Sequence, residues 1–478
     1  MLVIFETFSH FLLVLALGYY VITAMQWFSY RIKRVVFHFT KPKWHLFFFL
    51  IPLFAYYLTG VYFWIYFYFA YIPSLYLWYK KLDKPLVFTK RIQRFFIFLI
   101  LATFFQDFLC LALKRCDVLG VILPLFVSIG ISMLFEKILF EGFKKQAKKK
   151  LSEMNELKII AITASYGKTS IKNFLYHILE ETFTCYKTPR SVNTLGGLMQ
   201  DVNNVLPTNT QIYIAEAGAR EQGDILEIAQ FLEPQIAVVG EIGLQHVEYF
   251  KTLENIRNTK MELIQSPRLE QAFVHEGAQV NPNNKVILYG SELSNIQATL
   301  DGTSFTMDID GVSYPFETKL LGTFNAMNIA VCIHVARYLG MPMVAIQKRV
   351  NNLKSVEHRL SRMDAGGKII IDDSFNGNFE GMRASYELVS EYSGRKVLIT
   401  PGIVESTEEE NRALAHVMNE IFDVVMITGS LNAALLVREL KKPEIHILKD
   451  KAAMETLLAQ ETRAGDLILF SNDAPGFI

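Results

Sequence analysis

The chain has 478 residues, 51% of them hydrophobic, and a formal net charge of only +1. That balance excludes a nucleic-acid partner held by bulk positive charge, and the length is enough for more than one domain. Four cysteines (Cys110, Cys116, Cys185, Cys332) lack paired spacing, which fits a reducing compartment and predicts neither a disulfide framework nor a zinc site.

Most of the phenylalanine and tyrosine lies before residue 140, and the first 136 residues read as a helical membrane bundle. Five apolar spans are expected, at about 8–29, 45–59, 61–79, 95–113 and 118–135, the middle pair broken near Gly60. Basic clusters follow the first span (Arg31, Lys33, Arg34, Lys41, Lys43), the third (Lys80, Lys81, Lys84, Lys90, Arg91, Arg94) and the last (Lys144, Lys145, Lys148, Lys149, Lys150). The positive-inside rule puts all three in the cytoplasm only if 45–79 forms two helices and the N-terminus lies outside. A cleaved signal peptide is excluded because the apolar region runs far past any cleavage site. Asp107 falls inside the fourth span, where it is either a polar contact inside the bundle or, the reading favoured here, at the outer, solvated end near Lys114 and Arg115. Residues 137–157 read as a basic amphipathic linker helix whose lysines can meet anionic lipid heads.

The apolar run Leu157–Ala161 reads as a strand, and Ile171–Leu179 has helical spacing. Between them lies Ile162-Thr-Ala-Ser-Tyr-Gly-Lys-Thr-Ser170. Strand, tight turn, Gly-Lys-Thr and helix make a cradle for a nucleotide triphosphate. Ser165, Gly167, Lys168, Thr169 and Ser170 form that cradle. Backbone N–H groups and the helix N-terminus face the phosphates, Lys168 meets the terminal phosphate, and a hydroxyl reaches magnesium. Strand and helix patterns then alternate. Gln211–Ala215 ends in Glu216, and Gln235–Val239 leads towards His246. Polar residues just past strand ends are where α/β sheets bind ligands, so both are candidate metal ligands.

Taken in order, several motifs resemble the Mur ligase family. They are the 163–170 loop, Ser191–Gly196, Glu216–Ala219, Ile242–His246, Lys260–Glu262, Gly322–Asn328, His358–Leu360 and Ile371–Asn378. Asp372–Asn378, with Gly381-Met382, is most similar to the branch that adds D-alanyl-D-alanine. The resemblance covers residues 158–478. It implies a P-loop central domain at 158–354 and a Rossmann-like C-terminal α/β domain at 355–478, behind the membrane region (1–136) and linker (137–157). It implies an ATP-dependent amide ligase that activates a carboxylate as an acyl phosphate and passes it to an amine. The substrates it implies are a UDP-muramoyl tripeptide and D-alanyl-D-alanine, used on the cytoplasmic side of a bacterial inner membrane, with other cell-wall enzymes as possible partners.

The resemblance also carries roles. Lys168, His246, Lys260 and Arg359 are implied as catalytic, and Thr169, Glu216, His246 and Lys260 as holding Mg2+, with Lys260 carbamylated. Asn325 and Asn328 are implied beside the adenine, and Arg359 and Asp373 at the nucleotide from the closing last domain. Asn193, Thr194 and Asn376 are implied at the substrate. Other Mur-type ligases, such as folylpolyglutamate or polyglutamate synthases, are the alternatives within the class. A nucleotide-regulated transporter or scaffold is the alternative outside it.

The chain departs from the family pattern in three places. Ala164 stands where glycine is usual, which predicts weakened ATP binding. Leu467–Gly476 lacks a Lys-Gly-Ser type motif. The membrane region occupies the place of the domain that grips the uridine diphosphate sugar.

Overall fold

The computed structural model describes residues 2–28, 30, 32–37, 43–82, 85–113, 119–190, 192–243, 247–375, 377–404, 406–448 and 454–472. The chain divides into two compact units, Met1–Phe143 and Lys144–Ile478.

In the first unit, four helical stretches are long and apolar enough to cross a membrane: Ile4–Trp27, Lys43–Lys80, Lys90–Leu113 and Ile122–Glu153. The second of these folds back on itself. Gly60 takes φ 54°, ψ −130°, a conformation open to glycine and strained for other residues. Beyond it the Trp44 and Trp78 rings sit 5.5 Å apart, and the Tyr71 hydroxyl donates to Phe48 O at 3.0 Å. One straight helix would separate residues 44 and 78 by roughly 50 Å, so the run is a hairpin of two antiparallel arms. Each arm contains a π-turn (Leu46–Leu50 and Phe67–Tyr71) just before an Ile-Pro pair. The wider turn accommodates a proline that has no N–H to donate to the helix.

Helix α1 (Leu2–Trp27) lies at the centre of this unit, with Leu13, Val14 and Leu17 fully buried. At Gly18 it meets helix α2 (Lys90–Leu113) so closely that a Cβ there would lie 2.4 Å from Leu99 Cδ2. A small residue at the crossing lets the two helix backbones approach closely. Helix α3 runs unbroken from Ile122 to Glu153. The expected separation into a span ending at 135 and a linker helix at 137–157 is therefore corrected to one continuous helix.

Two further expectations are overturned here. Asp107 is not solvated: it is 4% exposed, with Oδ2 3.1 Å from His10 Nδ1. His10 Nε2 lies 3.1 Å from Gly120 O, which can only accept, so Nε2 donates. Gln106 and Tyr56 add hydrogen bonds to Gly120 O and Leu119 O, pinning the start of the last helix to the bundle. Lys114 and Arg115, the expected neighbours of Asp107, lie outside the described residues. The cysteine reading is also corrected, because Cys110 is disulfide-bonded while Cys185 and Cys332 are free.

The second unit carries three sheets. The central one has the order β2-β3-β1-β4-β5-β6, all parallel. Its strands are β1 (Lys158–Thr163), β2 (Cys185–Lys187), β3 (Ile212–Glu216), β4 (Ile236–Val239), β5 (Gln271–His275) and β6 (Val286–Tyr289). Strands β1, β3 and β4 are almost wholly buried and rich in isoleucine and valine, as strands covered on both faces require. Helix α4 (Lys168–Leu179) lays Ile171, Phe174, Leu175 and Ile178 on one side, against helix α5 (Phe324–Tyr338). A three-stranded antiparallel sheet follows: β7 (Leu293–Thr299), β8 (Gly302–Ile309) and β9 (Val312–Thr318).

The last sheet has the order β10-β11-β15-β12-β13-β14, with only β10 antiparallel. Its strands are β10 (Ser361–Ala365), β11 (Lys368–Asp373), β12 (Lys396–Thr400), β13 (Val424–Thr428), β14 (Glu444–Leu448) and β15 (Leu467–Ser471).

Removing one member of the buried His10–Asp107 pair leaves the other without its partner, whereas replacing both does not. His10→Leu should therefore destabilise the detergent-solubilised protein by about 3 kcal/mol. The double variant with Asp107→Leu should melt above the single one in a thermal scan; a lower double-variant midpoint would contradict this.

Candidate active site

Strand β1 is central in its sheet, with β3 on one side and β4 on the other, so the chain leaves the sheet in opposite senses beside it. The crevice beyond those strand ends is where an open parallel sheet binds ligands. Thr163 ends β1, Glu216 ends β3, and Gly240 follows β4.

The loop from β1 to α4 turns on Gly167, which has φ +78° and stands as the N-cap of α4. A Cβ there would lie 2.5 Å from Asn328 Oδ1, so both backbone angle and space require glycine. Lys168 opens the helix, its ammonium donating to Ala164 O at 2.5 Å and Ser165 O at 3.2 Å. Ser165 is buried and donates its hydroxyl to Gly243 O, anchoring the loop rather than facing its mouth. Ser170 is also buried, within the first turn of the helix.

The methyl of Ala164 is accommodated by the neighbouring strand. Ala164 is fully buried, and a Cβ on Gly240 would sit 2.8 Å from its methyl group. The larger residue on β1 is matched by the absence of a side chain after β4. The expected weakening of ATP binding therefore finds no steric basis, since the methyl faces the sheet.

Five charged side chains come together around this loop. Lys168 feels Glu216 and Arg359, Lys260 feels Lys168, and Arg359 feels Asp373 and Glu216. Burial pushes the Lys168 ammonium down to about 8, with Glu216 raising it and Arg359 lowering it further. Lys260, on helix α6 (Leu253–Met261), is 2% exposed and pushed down to about 7 by burial and by Lys168. Burial also lowers Arg359 against the pull of Asp373 and Glu216. Arg359 donates to Phe375 O at 2.8 Å and is flanked by His358 (φ 62°) and Leu360 (φ 51°). Two non-glycine residues in the left-handed region mark a segment held against its own preference.

Asp372 and Asp373 divide their work. Asp372 accepts from Ser374 N and Oγ and lies 2.7 Å from His358 Nδ1, which fixes the turn after β11. Asp373 is buried and acts on Arg359. Asn325 donates to Leu321 O at 2.7 Å, and Asn328 packs over Gly167. Thr194 caps helix α7 (Leu195–Asn204) by accepting from Gly197 N, and Asn193 covers Gly218, whose N–H donates to Asn193 O. His246 and Asn376 lie outside the described residues.

One buried residue beside this cluster had no signal in the sequence. Lys172, one turn after Lys168, is 1% exposed and lies 2.7 Å from Glu216 Oε1. By sequence it was indistinguishable from a solvated helix lysine, because its partner lies 44 positions away.

The donor set suits a divalent cation. Glu216 is buried at a strand end, and among the described residues its Oε1 has no hydrogen bond, only the Lys172 ammonium 2.7 Å away. Thr169, in the first turn of α4, offers a hydroxyl, and both are the oxygen ligands that magnesium prefers.

A phosphate-binding loop at the carboxyl edge of a parallel sheet, faced by an arginine and an aspartate from a second α/β fold, defines a nucleotide-dependent enzyme. The Mur ligase middle domain matches residues 162–336, and the Mur ligase glutamate ligase domain matches residues 358–472. The chain belongs to the Mur ligase family. It is similar to the UDP-N-acetylmuramoyl-tripeptide--D-alanyl-D-alanine ligase of Bacillus subtilis, 27% identical over 69% of this chain and 76% of that one. The ligase of the same name from Borreliella burgdorferi is 29% identical over 50% of this chain. This chain spans only 54% of the length of that relative. In fold it resembles the MurF ligase of Thermotoga maritima solved with ADP, with TM-score 0.61, 24% identity, and 70% and 80% of the two chains covered.

Gly167→Ala should lower ATP affinity at least tenfold in a binding titration, while Ala164→Gly leaves it within about twofold. Gly240→Ala should cost roughly 1–3 kcal/mol of stability through its clash with Ala164. Equal ATP affinities for the two loop variants would contradict this geometry.

The lysine shifts also set a pH dependence. Lys260 titrates near 7 folded and near its ordinary 10.5 unfolded, so between those values the unfolded chain binds the extra proton. Stability from this group therefore rises with pH across that window. A Lys260→Met variant should show a flatter rise in melting temperature from pH 7 to pH 10.

Proposed function

We propose that the protein is a membrane-anchored, ATP-dependent amide ligase that adds D-alanyl-D-alanine to a UDP-N-acetylmuramoyl tripeptide. The observation that carries this reading is the cluster of Lys168, Lys260, Arg359, Glu216 and Asp373 around a phosphate loop, in a chain similar to ligases of that name.

The reaction needs little covalent work from the protein. The substrate carboxylate takes the γ-phosphoryl group of ATP, the amine of the dipeptide attacks the acyl carbon, and phosphate leaves. Positioning and charge neutralisation dominate such a transfer. The Gly167 turn presents backbone N–H groups to the phosphates. Lys168 moves from the loop carbonyls to the transferring group, and Arg359 meets it from the last domain. Closure of that domain assembles the site and excludes water. Thr169, Glu216, His246 and Lys260 would hold Mg2+, which supplies neutralisation of the phosphate charge. A buried amine with a pKa of about 7 is neutral in about half of the molecules at pH 7, and the neutral form reacts with carbon dioxide, so Lys260 suits the carbamate that turns it into an oxygen ligand.

The first unit is assigned to the bacterial inner membrane with the N-terminus outside. Two observations support that orientation. Trp27 meets Trp44, and Arg94 pairs with Glu136, so the basic segments share one end of the bundle. The disulfide-bonded Cys110 lies at the end of α2 remote from those segments, on the side that would be oxidising. Anionic lipid heads are the partner for the basic end, and other cell-wall enzymes are candidates at the membrane.

Detergent-solubilised protein given ATP, UDP-muramoyl tripeptide and D-alanyl-D-alanine should release phosphate only when both substrates are present. Lys168→Ala should reduce the rate at least a hundredfold. Release without the muramoyl substrate would favour a regulatory ATPase. Release that needs a lipid-linked muropeptide instead would move the substrate to the membrane.

A further inference from the structure

We propose that Lys172 is a positioning residue: it fixes the Glu216 carboxylate for the metal and ties it to the segment that carries Asn193. This rests on the reading of Glu216 as a magnesium ligand given above.

Lys168 and Lys172 stand one turn apart on α4, and their ammonium groups serve opposite sides. Lys168 reaches forward to the loop carbonyls of Ala164 and Ser165. Lys172 reaches sideways beneath β3, where it meets three acceptors: Glu216 Oε1 at 2.7 Å, Thr188 O at 2.8 Å and Arg190 O. The buried ammonium donates to the two carbonyls and pairs with the carboxylate. A buried cation held by these three groups has a fixed place in the site.

The effect on Glu216 is positional. Lys172 pairs with Oε1 at 2.7 Å, an oxygen that has no hydrogen bond among the described residues, and so holds the carboxylate in place at the strand end. Burying this pair adds little stability relative to an apolar pair of the same shape, so stability alone does not account for it. Orienting a metal-binding carboxylate does, because groups behind the ligands set metal affinity by 10–100-fold. The same ammonium also connects two chain segments. Its carbonyl partners at 188 and 190 lead into Asn193, which covers Gly218 and accepts its N–H at 2.8 Å, two residues beyond Glu216. Metal ligand and substrate segment are thus joined through one side chain.

The test uses full-length protein in detergent with a non-hydrolysable ATP analogue, and follows Mn2+ binding by electron paramagnetic resonance. Analogue binding without metal is measured in parallel. Lys172→Met should weaken Mn2+ binding about 10–100-fold and leave metal-free analogue binding within about twofold, because Lys168 and the Gly167 turn are untouched. Lys172→Arg keeps the charge but not the compact three-donor geometry, and should lose Mn2+ affinity to a lesser extent. It also serves if the methionine variant fails to fold. Unchanged Mn2+ affinity in a folded Lys172 variant would overturn the proposal, provided that Glu216→Gln weakens binding. Unchanged affinity in Glu216→Gln would instead remove Glu216 from the metal and overturn the reading on which the proposal rests.

Discussion

Excess positive charge at the carboxyl edge of one sheet is the constraint on which the rest of the enzyme unit depends. Lys168, Lys260 and Arg359 act on one another or on shared neighbours, and Glu216 and Asp373 are the carboxylates that face them. Burial disfavours the charged form of both lysines, and a neighbouring cation (Arg359 for Lys168, Lys168 for Lys260) adds to it, which is why both titrate low. A polyphosphate reverses that penalty. The site is thus costly empty and favourable when nucleotide is bound, and the surrounding fold must hold it open. The β1–β3–β4 arrangement does so by placing three strand ends in a row, with buried isoleucine and valine behind them.

Local chemistry was legible in the sequence; its long-range partners were not. The Gly167 turn could be read because only glycine takes φ +78° against an overlying Asn328, and the Gly60 break for a similar reason. Lys172 could not be read, since nothing near it in sequence announces Glu216. Asp107 was misplaced because its charged neighbours in sequence suggested solvent, whereas His10 lies 97 positions away. Ala164 looked like a defect in the phosphate loop until Gly240 supplied room for its methyl. In each case the deciding atom came from another strand or helix.

The two units follow different rules. In the first, helices approach through Gly18 and through aromatic edges, and proline is absorbed by π-turns in both arms of the hairpin. In the second, a doubly wound sheet provides a rigid floor, and function sits in the loops beyond it. The two matched family domains, residues 162–336 and 358–472, lie in the second unit.

The central claim is that ATP activates a carboxylate as an acyl phosphate. It is tested most directly by supplying UDP-muramoyl tripeptide labelled with oxygen-18 in its terminal carboxylate and analysing the released phosphate by mass spectrometry. The account predicts one labelled oxygen in each phosphate released during amide formation. Unlabelled phosphate released while amide forms, with the lost carboxylate oxygen appearing in water, would contradict it.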